Sequence, residues 1–134
     1  MWETLTDPLA GARQVPFVHE WEWQGQDLTN ATFKMQVRDS KAAGAVLRAD
    51  LDTVTTAIEG VRLASVDTVD GVVTSIVQVI IDDTTMAAMD VAEDTEQPGD
   101  DMVIYYDMII TPDGGTPFVA VAGTFTIVAG VTVA

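Results

Sequence analysis

The clearest pattern in the chain is a strict alternation of apolar and polar residues between positions 31 and 38. The apolar set is Ala31, Phe33, Met35 and Val37, and the polar set is Thr32, Lys34, Gln36 and Arg38. A period of two places the apolar set on one face of a β-strand, whereas a helix would spread it around the whole circumference. The pattern therefore predicts a half-buried antiparallel strand, and residues 27–31 before it predict a turn.

Comparable patterns predict further strands along the chain. These are residues 17–23, 46–51, 61–69, 72–81, 102–111 and 118–133, of which the last is one strand or a pair. We expect strand 17–23, with His19 and both tryptophans on one face, to pair with strand 32–38. Asp70-Gly71 predicts a type I′ hairpin, because both central residues of that turn need positive φ. Strand 72–81 is apolar on both faces, so we expect it to be covered on both sides.

The rest of the chain predicts turns and little helix. Residues 53–58 and 112–115 are expected to connect strands, and residues 92–101 to form an acidic loop. Met86–Met89 is expected to form a short helix, for which Asp82, Asp83, Thr84 and Thr85 offer N-cap side chains. Several short strands joined by such turns predict an all-β sandwich. The predicted core comprises Phe33, Met35, Val37, Ile104, Tyr106, Met108, Phe125 and Ile127, with Met102 and Ile110 also inward.

Residues 1–16 show no sustained period and contain Pro8, Gly11 and Pro16, so we expect an extended N-terminal arm before a single domain at residues 17–134. Such an arm either lies across its own domain, or is disordered, or anchors on a neighbouring subunit. The apolar residues Trp2, Leu5 and Leu9 are the candidates for partner binding in the last case, because the segment looks too irregular to form core.

Composition excludes several classes of partner. The 134 residues include 21 Asp and Glu against 6 Lys and Arg, for a formal charge of -15, so the surface repels nucleic acid and anionic membrane. The 48% of hydrophobic residues is enough for one real core, and there is no cysteine to form disulfides or a thiolate site. Met1 to Thr4 lack the features of a secretory signal, so we expect the protein in a cytoplasm or packed into a particle there. The uncharged residues 116–134 could suggest a membrane anchor, but threonines and two glycines favour a buried strand.

No residue pattern predicts chemistry. His19 is the only histidine, and we interpret it as a packed or surface residue rather than a catalytic one. Glu20 and Glu22 share a strand face, but a glycosidase needs carboxylates across a cleft. The acidic stretches around Asp67 and Asp70, at Asp82 and Asp83, and at 94–101 lack the spacing of a calcium loop. We therefore predict no enzyme activity, no catalytic residue, no cofactor and no metal.

An aromatic sugar-binding surface is the other alternative that the sequence leaves open. It would use Trp21, Trp23, Phe33 and Tyr106, although alternating aromatic residues in strands are more often core. The rival class of protein is thus a carbohydrate-binding β-sandwich module.

Several segments together resemble a family of small virion proteins of tailed phages, which includes the N-terminal domain of upper-baseplate proteins. The family's turn and strand match Asp27–Ala31 and Met35–Arg38, with Asn30 where glycine is commoner. Its later motifs match Thr84–Met89, Tyr106–Met108, where Met108 replaces a commoner leucine, and Gly123–Ile127 with Val131 and Thr132. The order and approximate spacing agree over most of residues 17–133.

This resemblance implies an immunoglobulin-like sandwich that docks on other virion proteins and carries no catalytic residues. We expect a multi-copy structural protein, assembled in the cytoplasm of a host bacterium and located in the virion. Its partners would be tail or baseplate proteins or, as the alternative, the major capsid protein of a decorated head. A homo-oligomer is also expected.

Overall fold

A computed structural model describes residues 4–12, 15–41, 44–89 and 102–128, except for the side chain of Met102. These residues form nine strands and one helix. In chain order they are β1 (Leu5–Thr6), β2 (Leu9–Ala12), β3 (Phe17–Gln24), β4 (Thr32–Arg38), β5 (Leu47–Asp52), β6 (Gly60–Val69), β7 (Val72–Ile81), α1 (Asp83–Met89), β8 (Met102–Thr111) and β9 (Phe118–Val128).

The strands form two sheets that face each other. Sheet A has the order β1-β9-β8-β4-β5, with β2 also paired to β9, and sheet B has the order β3-β7-β6. The pairings between these described strands are antiparallel except those of β1 and β2 with β9, which are parallel. The predicted all-β, immunoglobulin-like sandwich with one short helix is confirmed.

The predicted central strand is confirmed as β4, between β8 and β5. Phe33, Met35 and Val37 are buried, while the polar residues between them are partly exposed on the outer face of sheet A. All eight predicted core residues are at most 4% exposed, so the register is correct on β4, β8 and β9. Ile110 is buried as predicted, whereas the prediction for the side chain of Met102 lies outside the described residues.

The turn before β4 forms as predicted. The amide of Thr29 donates to Asp27 Oδ1 over 3.0 Å, and Asn30 has a φ of 63°. The fully buried Ser75 hydroxyl attaches this turn to β7, because it accepts from Leu28 N at 3.0 Å and donates to Gln26 O at 2.7 Å. The turn therefore links the two sheets.

The expectation that β3 pairs with β4 is wrong. β3 pairs with β7 in sheet B, from Phe17 opposite Ile81 to Gln24 opposite Thr74. The amide of Gly25 continues this pairing with a 2.6 Å bond to Val73 O, after which the chain crosses to sheet A. The alternation in β3 predicted its buried face correctly, but a buried face can belong to either layer of a sandwich.

The hairpin of β6 and β7 is confirmed, with Asp70 at φ 52° and Gly71 at φ 78° between the paired Val69 and Val72. The expectation that β7 is covered on both faces is wrong for the described residues. One face is buried through Ser75, Val77, Val79 and Ile81, whereas Ile76 and Ile80 on the other are only half-buried.

The connections follow the predictions closely. Residues 54–59 contain no strand or helix, and α1 begins at Asp83, three residues before the predicted Met86. Asp83 Oδ1 accepts from Thr84 N at 2.9 Å, and Met86 and Met89 are fully buried against the core. β9 is a single strand, and no described helix has the length and apolar character to cross a membrane. The acidic loop and residues 131 and 132 lie outside the described residues.

The start of the chain is part of the sandwich. β1 and β2 pair with β9, from Leu5 opposite Val121 to Ala12 opposite Val128, and cover its outer edge. Of the three alternatives, the described residues 4–12 adopt the first, a segment lying on its own domain. The premise that this segment is too irregular to form core is wrong for Leu9, which is 5% exposed in the main cluster. A strand of four residues is too short to show a period in the sequence.

Candidate functional site

The three predicted partner-binding residues, Trp2, Leu5 and Leu9, are not all at the surface of the described structure. Leu5 is 47% exposed on β1, whereas Leu9 points into the core of its own chain. Trp2 lies outside the described residues. Leu5 is therefore the predicted partner-binding residue that the structure presents at the surface.

Asp7, between β1 and β2, joins the N-terminal segment to both sheets. Its Oδ2 accepts from Trp21 Nε1 at 2.8 Å and lies 3.2 Å from His19 Nε2, and both of these side chains belong to β3. The carbonyl of Asp7 accepts from the hydroxyl of Tyr106 on β8, and its amide donates to Ala122 O at 3.1 Å. We call Asp7, His19, Trp21 and Tyr106 the N-terminal junction.

The junction explains what the aromatic residues and the histidine do. Burial raises the pKa of Tyr106, and the charge of Asp7 raises it further, so its hydroxyl stays a donor. His19 lies edge-on to the Trp21 ring, with 4.8 Å between ring centroids. These contacts hold the first strands on the sandwich.

Gly123 of β9 permits the close approach of the N-terminal segment. A Cβ atom on Gly123 would lie 2.6 Å from Asp7 O and 3.1 Å from Asp7 C. Gly11 is also tightly enclosed, since a Cβ there would lie 2.7 Å from Cε of Met86. The edge of β9 is thus shaped for this segment.

The carboxylates of Glu20 and Glu22, which share a strand face in the sequence, both accept hydrogen bonds from glutamine side chains. Glu20 Oε2 accepts from Gln78 Nε2 at 3.1 Å and Glu22 Oε1 accepts from Gln24 Nε2 at 3.1 Å, both on the exposed face of sheet B. Within the described residues, no three His, Asp or Glu side chains are placed to hold a metal ion.

The aromatic residues proposed for sugar binding do not form an exposed surface. Trp21, Phe33 and Tyr106 are at most 5% exposed, and Trp23 is half-buried against the same core. The interpretation of these residues as core is therefore correct.

A groove of about 350 Å³ lies on the outer face of sheet A. Residues paired across four strands cross it, with Gln36 opposite Asp107, Asp107 opposite Ala122 and Ala122 opposite Thr6. The small Ala122 and Gly123 leave the space, and Ser40 and Lys41 line it from the β4–β5 connection. We call this site the outer groove; its lining side chains include Thr6, Gln36, Arg38, Ser40, Lys41, Tyr105 and Asp107.

Two cations and one carboxylate line the outer groove. Arg38 donates to Ala45 O at 2.8 Å and to Gln36 Oε1 at 2.9 Å, and Lys41 Nζ lies 5.5 Å from the centroid of the Tyr105 ring. Partial burial raises the pKa of the Asp107 carboxyl, against the opposing effect of the Arg38 charge. In the described part of the chain, neither cation forms an ion pair with a carboxylate.

The outer face of sheet A carries most of the positive charge of the protein. Four of the six Lys and Arg residues lie here: Lys34, Arg38, Lys41 and Arg48. Lys34 pairs with Asp50 at 2.6 Å and Asp52 at 2.7 Å, and Arg48 forms a two-bond pair with Asp39. Hydrogen bonds from these cations lower the pKa of Asp50 and Asp39.

No pattern in the sequence predicts the outer groove. The outward positions of Gln36 and Arg38 were predicted, but Tyr105 and Asp107 become their neighbours only through the pairing of β4 with β8. The available signal for Tyr105 and Asp107 was their position on the outward face of the predicted strand 102–111. Comparison of the chain with protein-family models and with curated proteins found no match.

Proposed function

We propose that this chain is a non-enzymatic structural protein of a tailed-phage virion. It assembles in many copies through protein–protein contacts, as a component of the tail or baseplate. The role comes from the resemblance to small virion proteins, and an immunoglobulin-like sandwich alone supports many functions.

The observation that carries the proposal is that three segments of the resemblance, in β4, β8 and β9, meet in sheet A. Met35–Arg38 pairs with the β8 segment Tyr105–Met108, and the β8 residues Ile104 and Tyr106 pair with Phe125 and Gly123 of β9. The β4 segment is far from the other two in the sequence, but the three form one continuous surface of three strands. A chance match of short motifs gives no reason for such adjacency.

One departure from these motifs and one match to them have physical reasons. Asn30, where the family more often has glycine, has a φ of 63°, and asparagine tolerates this left-handed region better than most residues. Gly123, which matches the family's glycine, has no room for a side chain beside Asp7. Asn30 and Gly123 thus suit the backbone conformation and the space that this structure has at their positions.

Assembly contacts are expected at the N-terminal end of the chain. Leu5 is an exposed large apolar side chain at the edge of sheet A, and Trp2 precedes it by three residues. Burying a large apolar side chain in a contact is worth about 2 to 3 kcal/mol, and repeated copies multiply the effect.

Quantitative mass spectrometry of purified phage particles tests the proposal. A few to a few dozen copies per particle support a tail or baseplate location, and hundreds of copies would move the proposal to its alternative, a capsid decoration or head-fibre protein. Absence of the chain from the particles overturns the proposal.

A variant pair tests the contact surface. Leu5→Glu is expected to reduce incorporation into particles without lowering the melting temperature. Val18→Glu is the matched control, because Val18 is a similarly exposed apolar residue, 56% exposed on sheet B. Equal incorporation of both variants would remove Leu5 from the contact surface.

A further inference from the structure

The side chains around the outer groove suit a ligand that is rich in hydroxyl groups. They supply two hydroxyls, an amide, a phenol, a carboxylate and two cations, from Thr6, Ser40, Gln36, Tyr105, Asp107, Arg38 and Lys41. Hydroxyl groups donate and accept hydrogen bonds at once, so they can satisfy both kinds of partner here. The volume of about 350 Å³ is at the small end of the range of small-molecule sites.

The two cations indicate a negative group on the ligand. Arg38 is held in place by its bonds to Ala45 O and Gln36 Oε1, and these use two of its five N–H donors. Lys41 lies close to the Tyr105 ring and has no carboxylate partner among the described residues. In a chain with a formal charge of -15, two such cations in one groove are a local exception.

The groove fits a saccharide better than an acidic peptide. Peptide and protein contacts usually depend on large apolar or aromatic anchors in apolar pockets. The outer groove has no Leu, Ile, Val, Met or Phe among its described lining residues, and Ala122 and Gly123 are its small apolar residues. The Tyr105 ring is one flat surface against which the C–H face of a sugar can pack.

We propose that the outer groove binds a saccharide that carries a carboxylate, of the uronic acid type. Arg38 and Lys41 bind the carboxylate, Tyr105 packs against the sugar ring, and Asp107 and Gln36 accept or donate hydrogen bonds with its hydroxyl groups. This site goes beyond the proposed assembly role, and it does not depend on where the protein lies in a particle.

The test is a titration of the full chain with trigalacturonic acid, followed by amide chemical shifts in NMR spectra. The neutral sugar galactotriose and the peptide triglutamate are the comparison ligands. Saturable shifts on β4, β8 and the β4–β5 connection are expected with trigalacturonic acid, with at least tenfold weaker binding of galactotriose and of triglutamate.

Variants then test the named side chains. Lys41→Gln and Arg38→Gln should each weaken binding about tenfold or more, because each loses a hydrogen bond to a charged group. Tyr105→Ala should also weaken binding, because it removes the surface on which the sugar ring packs. Arg62→Gln is the matched control, because Arg62 is a cation on sheet B that donates to Gln78 Oε1 at 2.9 Å. Spectra without ligand show whether each variant is folded. Lys41→Gln is the variant least expected to perturb the fold, because Lys41 is exposed.

Three outcomes would overturn the proposal. They are the absence of saturable shifts with trigalacturonic acid, shifts that map to sheet B, and wild-type affinity in both Lys41→Gln and Tyr105→Ala. Equal or tighter binding of triglutamate would replace the saccharide with an acidic peptide as the occupant.

Discussion

Asp7 shows how a single polar residue in an irregular segment can connect three strands. Its side chain accepts from Trp21 and contacts His19 on β3, and its backbone bonds to β8 and β9. Nothing in the sequence around Asp7 predicted this role, because a periodic pattern reports buried apolar faces and not hydrogen bonds between distant segments. The core residues on β4, β8 and β9 were predictable because they form such buried apolar faces.

Replacement of Asp7 by alanine should destabilise the protein. The indole N–H of Trp21 would lose its acceptor in a largely buried position, which costs about 1 to 3 kcal/mol. Urea denaturation measures the loss. Asp7→Asn is the control, since its side-chain oxygen can still accept from Trp21, and an equal loss in both variants would contradict the assignment of the loss to the missing acceptor.

Gly123→Ala tests the close approach of the N-terminal segment to β9. The new Cβ would overlap the backbone of Asp7, which cannot move as a flexible side chain could, so we expect a loss of about 1 to 3 kcal/mol. Thr124→Ala, at the next position, adds no atom and should have a smaller effect. Unchanged stability of Gly123→Ala would contradict the described position of residues 5–7.

At the scale of the elements, the sequence predicted the buried face of a strand better than the strand with which it pairs. The alternation in β3 gave its buried side, but the pairing with β7 follows from the route of the chain through Gly25, which no local pattern records. The short strands β1 and β2 were likewise hidden, because two to four residues are too few for a period. The outer groove could not be predicted for the same reason, because its lining residues become neighbours only through the register of β4 with β8.

The β6–β7 hairpin was the most predictable element, and its turn can be tested by substitution. Asp70→Asn should preserve or slightly raise stability, because Asn-Gly is a favoured type I′ pair. Asp70→Val should lower it by roughly 1 to 2 kcal/mol, because a β-branched residue at φ 52° is strained. Thermal unfolding of both variants compares them directly, and similar melting temperatures would show that the turn is not held at positive φ.

At the scale of the whole molecule, charge is distributed unevenly. A formal charge of -15 predicted poor binding of nucleic acid, but it could not show that four of the six basic residues share the outer face of sheet A. Three strands and one connection bring these residues together with Asp39, Asp50, Asp52 and Asp107. This face is therefore close to neutral in charge, and like-charged partners are repelled least there.

The same carboxylates predict how stability depends on pH. The folded pKa of Asp39 and Asp50 lies below the ordinary value of 3.8, so their pairs with Arg48 and Lys34 stabilise the fold above that value. This stabilisation is lost as the pH falls from about 3.8 through the lower folded pKa values. The free energy of unfolding should therefore decrease on acidification in this window, as measured by urea denaturation across a pH series.

Asp107 should act in the opposite direction in a different window. Its folded pKa is raised by burial above 3.8, so the folded state binds its proton more tightly than the unfolded state does. Stability contributed by this group is thus present at low pH and is lost as the pH rises from 3.8 through the raised value. Asp107→Asn removes the titrating group and keeps the shape, so the variant should lose less stability than the wild type over that interval. Parallel curves for the two proteins just above pH 3.8 would show that the carboxyl of Asp107 is as well solvated as in the unfolded chain.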